Sequence, residues 1–281
     1  MPEIAFVNGT WCDLSEAAVS IEDRGFQFGD GVYEVIRTYG KALFGLKAHL
    51  ARLAASAGEI EIALPDTLAA LEKGIQSGCE KCGFEDIQIY IQLTRGRAPR
   101  NHHYPEKRRT TWVMTFRETK KIPKQVRESG VSVISTEDIR WAKCHIKSLN
   151  LLPNVMAREA AARAGAFEAV FVREGKVMEG AASNVFAVFN RRILTPPKGP
   201  YLLSGITRDL VLSLGAEKGF EMHEADLALE DFYTADEIFL TGTTIEVLPA
   251  VACNGIPLGQ GRPGKTARIL YEAFRRYVEK Q

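Results

Sequence analysis

The sequence predicts a two-domain α/β (α+β) chain, and three observations carry the prediction. Short β-rich runs alternate with runs of helical spacing in both halves. The length of 281 residues suits one large domain or two modest ones, with room for a sizeable core. Between the halves, residues 119–130 carry Lys120, Lys121, Pro123 and Lys124 with little periodicity, which places a linker between a domain over 1–118 and a domain over 131–281.

Residues 4–14 read as a hairpin, because Asn8-Gly9 suits the left-handed torsions of a two-residue turn between two short apolar runs. Residues 32–39 and 42–46 form a second strand pair around Gly40-Lys41. Helical spacing begins at Lys47, with Leu50, Leu53 and Ala54 on one face, and Pro65 starts a further helix that runs to about Gly78. Residues 86–94, with Ile87, Ile89 and Ile91 on one side, and residues 110–116 read as strands flanking a polar loop. The second half gives strands over 131–135, 169–172, 177–179, 184–189 and 237–241, with helices over 154–164, 207–218 and 264–278.

Charge and cysteine content narrow the function. Lys and Arg number 36 against 35 Asp and Glu, a net charge of +1, so no long-range field draws in nucleic acid or an anionic membrane. No apolar run approaches the ~20 residues of a membrane helix. The first 14 residues have neither a basic start nor a long apolar stretch, and the chain is expected to be cytoplasmic. Five scattered cysteines do not make a disulfide framework, and Cys79-x-x-Cys82 has no second pair at zinc spacing.

Two patterns mislead. Residues 259–266 fit both G-x-x-x-x-G-K-[ST] and G-x-G-x-x-G, the signature of a nucleotide-binding protein. A phosphate cradle needs a buried strand before it and further strands after it, yet only 15 residues follow Thr266 and Pro263 removes a donor. The expected reading is a glycine-rich entry to a C-terminal helix. The loop over 95–109 concentrates Arg95, Arg97, Arg100, Lys107, Arg108 and Arg109 around His102, His103 and Tyr104. It is open to three readings: a solvated loop, a carboxylate clamp, or the polyanion site of an RNA-binding module. Composition alone favours the first.

The segment over 144–152 sets Lys147 among apolar neighbours just before a helix. Desolvation there disfavours the ammonium, and a neutral amine can attack a carbonyl. A lysine snorkelling from a half-buried loop has the same neighbours.

Seven segments in order decide between these readings: EDRGFQFGDGVYEV (22–35), HLARL (49–53), TRGRAPRNHHYP (94–105), DIRW with KSLNLL (138–152), EGAASNVF (179–186), LSGITRD (203–209) and TGTTIEVLP (241–249). Together they resemble the fold-type IV pyridoxal-phosphate enzymes, and within them the D-amino-acid aminotransferases. The resemblance implies a small N-terminal α/β sandwich, a larger barrel-like C-terminal domain, pyridoxal 5'-phosphate as cofactor, and amino-acid and 2-oxo-acid substrates in a homodimer, with no nucleic acid and no membrane. It implies that Lys147 is the Schiff-base lysine and proton shuttle and that Glu179 pairs with the pyridine nitrogen. Gly205, Ile206 and Thr207 at a helix start, with Thr243 and Arg52, would hold the phosphate. Leu203 would lie on the ring face, while Tyr33, Arg100 and His102 would hold the substrate carboxylate. Arg140 would lie near the cofactor.

Branched-chain L-amino-acid aminotransferases and 4-amino-4-deoxychorismate lyases share the fold, and Arg100-x-His102 argues against both. Ala181, Ala182 and Gly242 stand where the D-enzymes carry hydroxyls, each worth ~1 kcal/mol to cofactor contacts if not replaced by water.

Overall fold

The structure is a computed structural model that describes residues 2–107 and 109–281. Arg108, one of the cations in the basic loop, lies outside the described residues. Two compact units emerge: Met1–Lys120 together with Ile146–Asn150, and Lys121–His145 together with Leu151–Gln281.

The first unit comprises β1 (Ile4–Val7), β2 (Thr10–Asp13), α1 (Arg24–Phe28), β3 (Gly31–Tyr39), β4 (Ala42–Leu43), α2 (Leu46–Glu59), α3 (Leu68–Cys82), β5 (Ile87–Thr94) and β6 (Thr111–Glu118). Its sheet is antiparallel throughout, in the order β2-β1-β6-β5-β3-β4. The expected hairpin forms with Asn8 at φ 49° and Gly9 at φ 101°. Period-two burial of Ile87, Ile89, Ile91 and Leu93 on β5 meets Leu50 and Leu53 of α2 and Leu71 and Ile75 of α3 in one core. Helix α3 starts at Leu68 rather than Pro65, because the Thr67 hydroxyl accepts from the Ala70 amide as an N-cap. It extends through Cys82, so Cys79 and Cys82 lie in its last turn as free thiols, and burial pushes the Cys79 thiol up to about 12.

The second unit holds α4 (Lys124–Ser129), β7 (Val131–Glu137), α5 (Leu152–Arg163), β8 (Glu168–Arg173), β9 (Lys176–Gly180), β10 (Asn184–Phe189), β11 (Arg192–Thr195), α6 (Ile206–Glu217), β12 (Glu221–Glu224), β13 (Leu227–Ala228), α7 (Leu229–Thr234), β14 (Glu237–Gly242), β15 (Glu246–Cys253), β16 (Ile256–Pro257) and α8 (Lys265–Val278). Ten strands form a mixed half-barrel in the order β12-β11-β10-β14-β15-β7-β8-β9-β13, with β16 on β15. The parallel pair β7 and β8 is joined through α5, as a parallel crossover requires. The stretch 119–130, expected as a linker, contains α4. Strand β15 was absent from the sequence expectations; it is mostly buried and carries Pro249, so it shows neither alternation nor an uninterrupted apolar run. Among the described residues no helix is long and apolar enough to cross a membrane.

Candidate active site

In the first unit, the arm Ile146–Asn150 lies along β3. Tyr33 N donates to Lys147 O at 2.9 Å, Lys147 N donates to the Ser56 hydroxyl at 3.2 Å, and Leu149 N donates to Gly31 O at 3.0 Å. Ile146 is buried in the core, and Lys147 Nζ lies 4.2 Å from the centroid of the Tyr33 ring. Tyr33 in turn stacks on Tyr90. The structure thus brings together two of the residues singled out by sequence, Lys147 and Tyr33.

Arg52 is anchored rather than solvated. Its Nε and Nη2 donate to the two oxygens of Glu34 at 2.7 and 2.9 Å, and His49 Nδ1 lies 2.8 Å from Glu34 Oε2. Burial raises the Glu34 carboxyl, but Arg52 and His49 outweigh it and hold it at about 2. Burial also lowers His49, so the ring is neutral at pH 7, with Nδ1 donating to the carboxylate.

The basic loop is partly neutralised from below. Arg95 is buried, with Nε and Nη2 on the two oxygens of Asp30 and further bonds to Ile60 O and Glu61 O. Arg97 pairs with Glu22. Arg100 and His102 are exposed and share one aromatic ring, that of Phe28, at 4.5 and 5.5 Å. Arg24 N-H groups take Asn101 O and His103 O on either side of His102. Arg100 and His102 therefore form one group and Lys147 with Tyr33 another; no hydrogen bond, ion pair or ring contact joins the two groups among the described residues.

In the second unit, Glu179 at the end of β9 is buried and held by donors on both oxygens. Arg140 Nη1 lies 2.5 Å from Oε1, while Leu203 N and Asn184 Nδ2 reach Oε2 at 3.0 and 3.3 Å. Arg140 is itself fixed by Asp138 through Nε and Nη2 at 2.9 and 3.1 Å. Burial works against the Asp138 carboxylate, yet Arg140 keeps it below its ordinary range. Asn184 is a hub that the sequence reading did not assign. Its amide also donates to Leu203 O, its backbone pairs with Thr241 across β10 and β14, and its Oδ1 lies where a Cβ on Gly205 would stand, 2.1 Å away.

Gly205 opens α6 without a side-chain cap, which leaves the first amides without helical partners. Two residues on, the Thr207 hydroxyl is buried with no hydrogen-bond partner, and the Thr241 hydroxyl is in the same condition. Thr243 begins the turn that joins β14 to β15. Ala181 and Ala182 lie in a bend held by neighbouring side chains: Glu168 Oε2 accepts from Ala182 N and the Ser183 hydroxyl, and Asn154 Nδ2 donates to Ala181 O.

The nucleotide pattern at 259–266 is not a phosphate cradle. The strand before it is the two-residue edge piece β16, and the first amides of α8 are already taken. Glu237 Oε1 accepts from Thr266 N at 2.9 Å and Oε2 from Ala267 N at 3.0 Å, so a carboxylate of the chain fills the anion position at that helix start.

The family model for class IV amino-transferases matches residues 31–253. The chain belongs to the class IV aminotransferases. The D-alanine aminotransferase of Bacillus licheniformis is 42% identical over 271 residues, covering 96% of this chain and 95% of that one. The crystal structure of the Escherichia coli branched-chain amino acid aminotransferase superposes with a TM-score of 0.93 at 26% identity, over 98% of this chain and 94% of that one. A T.th. branched-chain amino acid aminotransferase complexed with N-(5'-phosphopyridoxyl)-L-glutamate gives 0.90 at 27% identity, over 100% and 95%.

The residues of this class IV aminotransferase fit the cofactor of its family. The buried hydroxyls of Thr207 and Thr241 lack partners, an uncapped helix start adjoins Thr207, and the buried Glu179 carboxylate, held by Arg140, has the chemistry to pair with a protonated ring nitrogen.

Proposed function

We propose that the chain transfers an amino group reversibly between a D-amino acid, such as D-alanine or D-glutamate, and a 2-oxo acid, such as pyruvate or 2-oxoglutarate, with pyridoxal 5'-phosphate bound. The observation that carries the reading is Glu179, buried and oriented by Arg140, Asn184 and Leu203 N. Identity of 42% to a D-alanine aminotransferase, against 26–27% to branched-chain enzymes of the same fold, supports the D-amino-acid assignment over the branched-chain one.

When bound, the cofactor supplies an electron sink for bond breaking at the substrate Cα. Lys147 anchors it and moves the proton at Cα. Glu179 keeps a proton on the ring nitrogen, and Arg140 holds the Glu179 carboxylate in place. Arg52, the amides of Gly205 and Ile206, Thr207 and Thr243 hold the phosphate, and Leu203 lies against the ring. Tyr33, Arg100 and His102 hold the substrate carboxylate by charge and hydrogen bonding. On this reading the domain over 131–281 carries most of the cofactor contacts, and the domain over 1–118 adds Arg52 to them and works on the substrate side.

The working form is a homodimer in the cytoplasm. Leu152, Val155 and Met156 are exposed on one face of α5, an apolar patch suited to a second copy.

The test is the visible absorption of the purified protein with D-alanine and, separately, with L-leucine. Change with D-alanine and release of pyruvate is the expected result. A response to L-leucine alone moves the chain to the branched-chain enzymes.

A further inference from the structure

Glu246 is the first residue of β15 and one of the few non-glycine residues in the left-handed region, at φ 61°. That conformation is strained for a residue with a long side chain, and such positions gather at functional sites. Glu246 pairs with Gly242 in the last rung before the turn that begins at Thr243.

What fixes it is the guanidinium of Arg127. Its Nη1 donates to Ile245 O at 2.9 Å and to Val247 O at 2.8 Å, the carbonyls on either side of Glu246. Arg127 Nη2 reaches Glu246 Oε2 at 2.8 Å, and Arg275 Nη1 reaches Oε1 at 3.1 Å. The Arg127 guanidinium also faces the ring of Tyr271 on α8 at 4.5 Å, which holds the fork against the helix. Three bonds from one planar fork determine the peptide planes at the exit of the turn. The same turn follows Thr241, whose buried hydroxyl has no partner.

We propose that Arg127, from the helix in the stretch read as a linker, is a positioning residue for the phosphate of the cofactor. It acts through Glu246 and the turn at Thr243 and does not touch the phosphate itself. The inference rests on the reading that this turn takes the phosphate. Arg127 therefore selects for the phosphorylated form of the cofactor, because a turn free to relax loses its donors to the phosphate while contacts to the ring remain.

The experiment compares binding of pyridoxal 5'-phosphate and of pyridoxal, which has the same ring and no phosphate, to the full chain freed of cofactor. Arg127→Gln is expected to raise the Kd for pyridoxal 5'-phosphate at least about tenfold and to leave that for pyridoxal within about twofold. Thr207→Ala, which removes a hydroxyl at α6 and leaves the turn alone, is measured beside it. An equal rise for both ligands in Arg127→Gln marks a general structural role and overturns the proposal. Weakening by Thr207→Ala with no effect of Arg127→Gln leaves the phosphate site standing and removes the positioning role. Wild-type protein that binds both ligands equally removes the phosphate reading and the proposal with it. Where Arg127→Gln fails to fold, Arg275→Gln, which removes the Oε1 arm together with the ion pair to Glu279 at the end of α8, is expected to show the same selectivity at about threefold; an equal or absent effect on the two ligands overturns the proposal.

Discussion

Arg140 Nη1 and Glu179 Oε1 lie 2.5 Å apart, and both side chains are almost wholly shielded from solvent. The arrangement is a chain of charges: Asp138 grips Arg140, and Arg140 grips the carboxylate that would face the ring nitrogen. Glu179→Gln keeps the shape and removes the charge. It is expected to leave cofactor bound and to lower turnover about 10²-fold or more, and unaltered turnover contradicts the role. Arg140→Met leaves Asp138 and Glu179 buried without their shared cation and is expected to cost about 3–5 kcal/mol in urea unfolding.

Lys147 gives a cleaner separation of chemistry from fold. Its backbone, not its amine, makes the hydrogen bonds to Tyr33 and Ser56. Lys147→Ala is therefore expected to unfold at nearly the wild-type urea midpoint and to lose at least ~10²–10⁴ in turnover. Wild-type activity in that variant would sink the mechanism.

The pair of Glu34 and His49 sets an acid limit on the first unit. Glu34 drops from 4.5 to about 2 on folding, so the folded state favours its ionised form. Its contribution is fully present above the unfolded value of 4.5 and is lost as pH falls towards 2; the shift corresponds to about 3 kcal/mol. His49 is lowered from 6.5. Protonation then favours the unfolded chain as pH drops below 6.5, in the same direction. Unfolding free energy measured from about pH 7 to pH 2 should fall steeply in the wild type. Glu34→Gln should start lower and fall less, and parallel curves would remove Glu34 as the cause.

At α8 the sequence pattern and the structure give opposite expectations. With Glu237 on the amides of Thr266 and Ala267, ATP should not raise the melting temperature of the wild type or of Lys265→Ala. Glu237→Ala should lower stability by about 0.5–2 kcal/mol, the range of a lost N-terminal cap. A stabilising shift by ATP that Lys265→Ala abolishes would restore the nucleotide reading.

Local signals were legible because they need no distant partner. Asn8-Gly9 specifies its hairpin by torsion preference alone, and the isoleucines of β5 announce their face by spacing. The site was legible only in part. Lys147 stands out among apolar neighbours, whereas Arg140 and Glu179 are 39 residues apart and meet only once β7 and β9 are in place. Arg127 sat in a stretch without periodicity, and its partners at Ile245, Glu246 and Val247 lie on β15 and the turn before it. Glu237 and Thr266 likewise hide a cap inside a motif that names something else.

Substrate recognition is the remaining step, and Arg100 carries it on the proposed reading. Arg100 and His102 project from a loop whose backbone is held by Arg24 at Asn101 and His103, and Phe28 lies under both side chains. The loop is thus built to stay in place when one of its side chains is removed. Arg100→Ala should leave the fold and the bound cofactor unchanged and remove one charge-assisted contact to the substrate carboxylate, worth about 1.5–3 kcal/mol or roughly 10- to 100-fold in kcat/KM. The loss should appear mainly in KM for D-alanine and be absent for an amine that lacks the carboxylate. An equal loss on both substrates would reject the clamp, because a cation that recognises a carboxylate has nothing to offer a molecule without one.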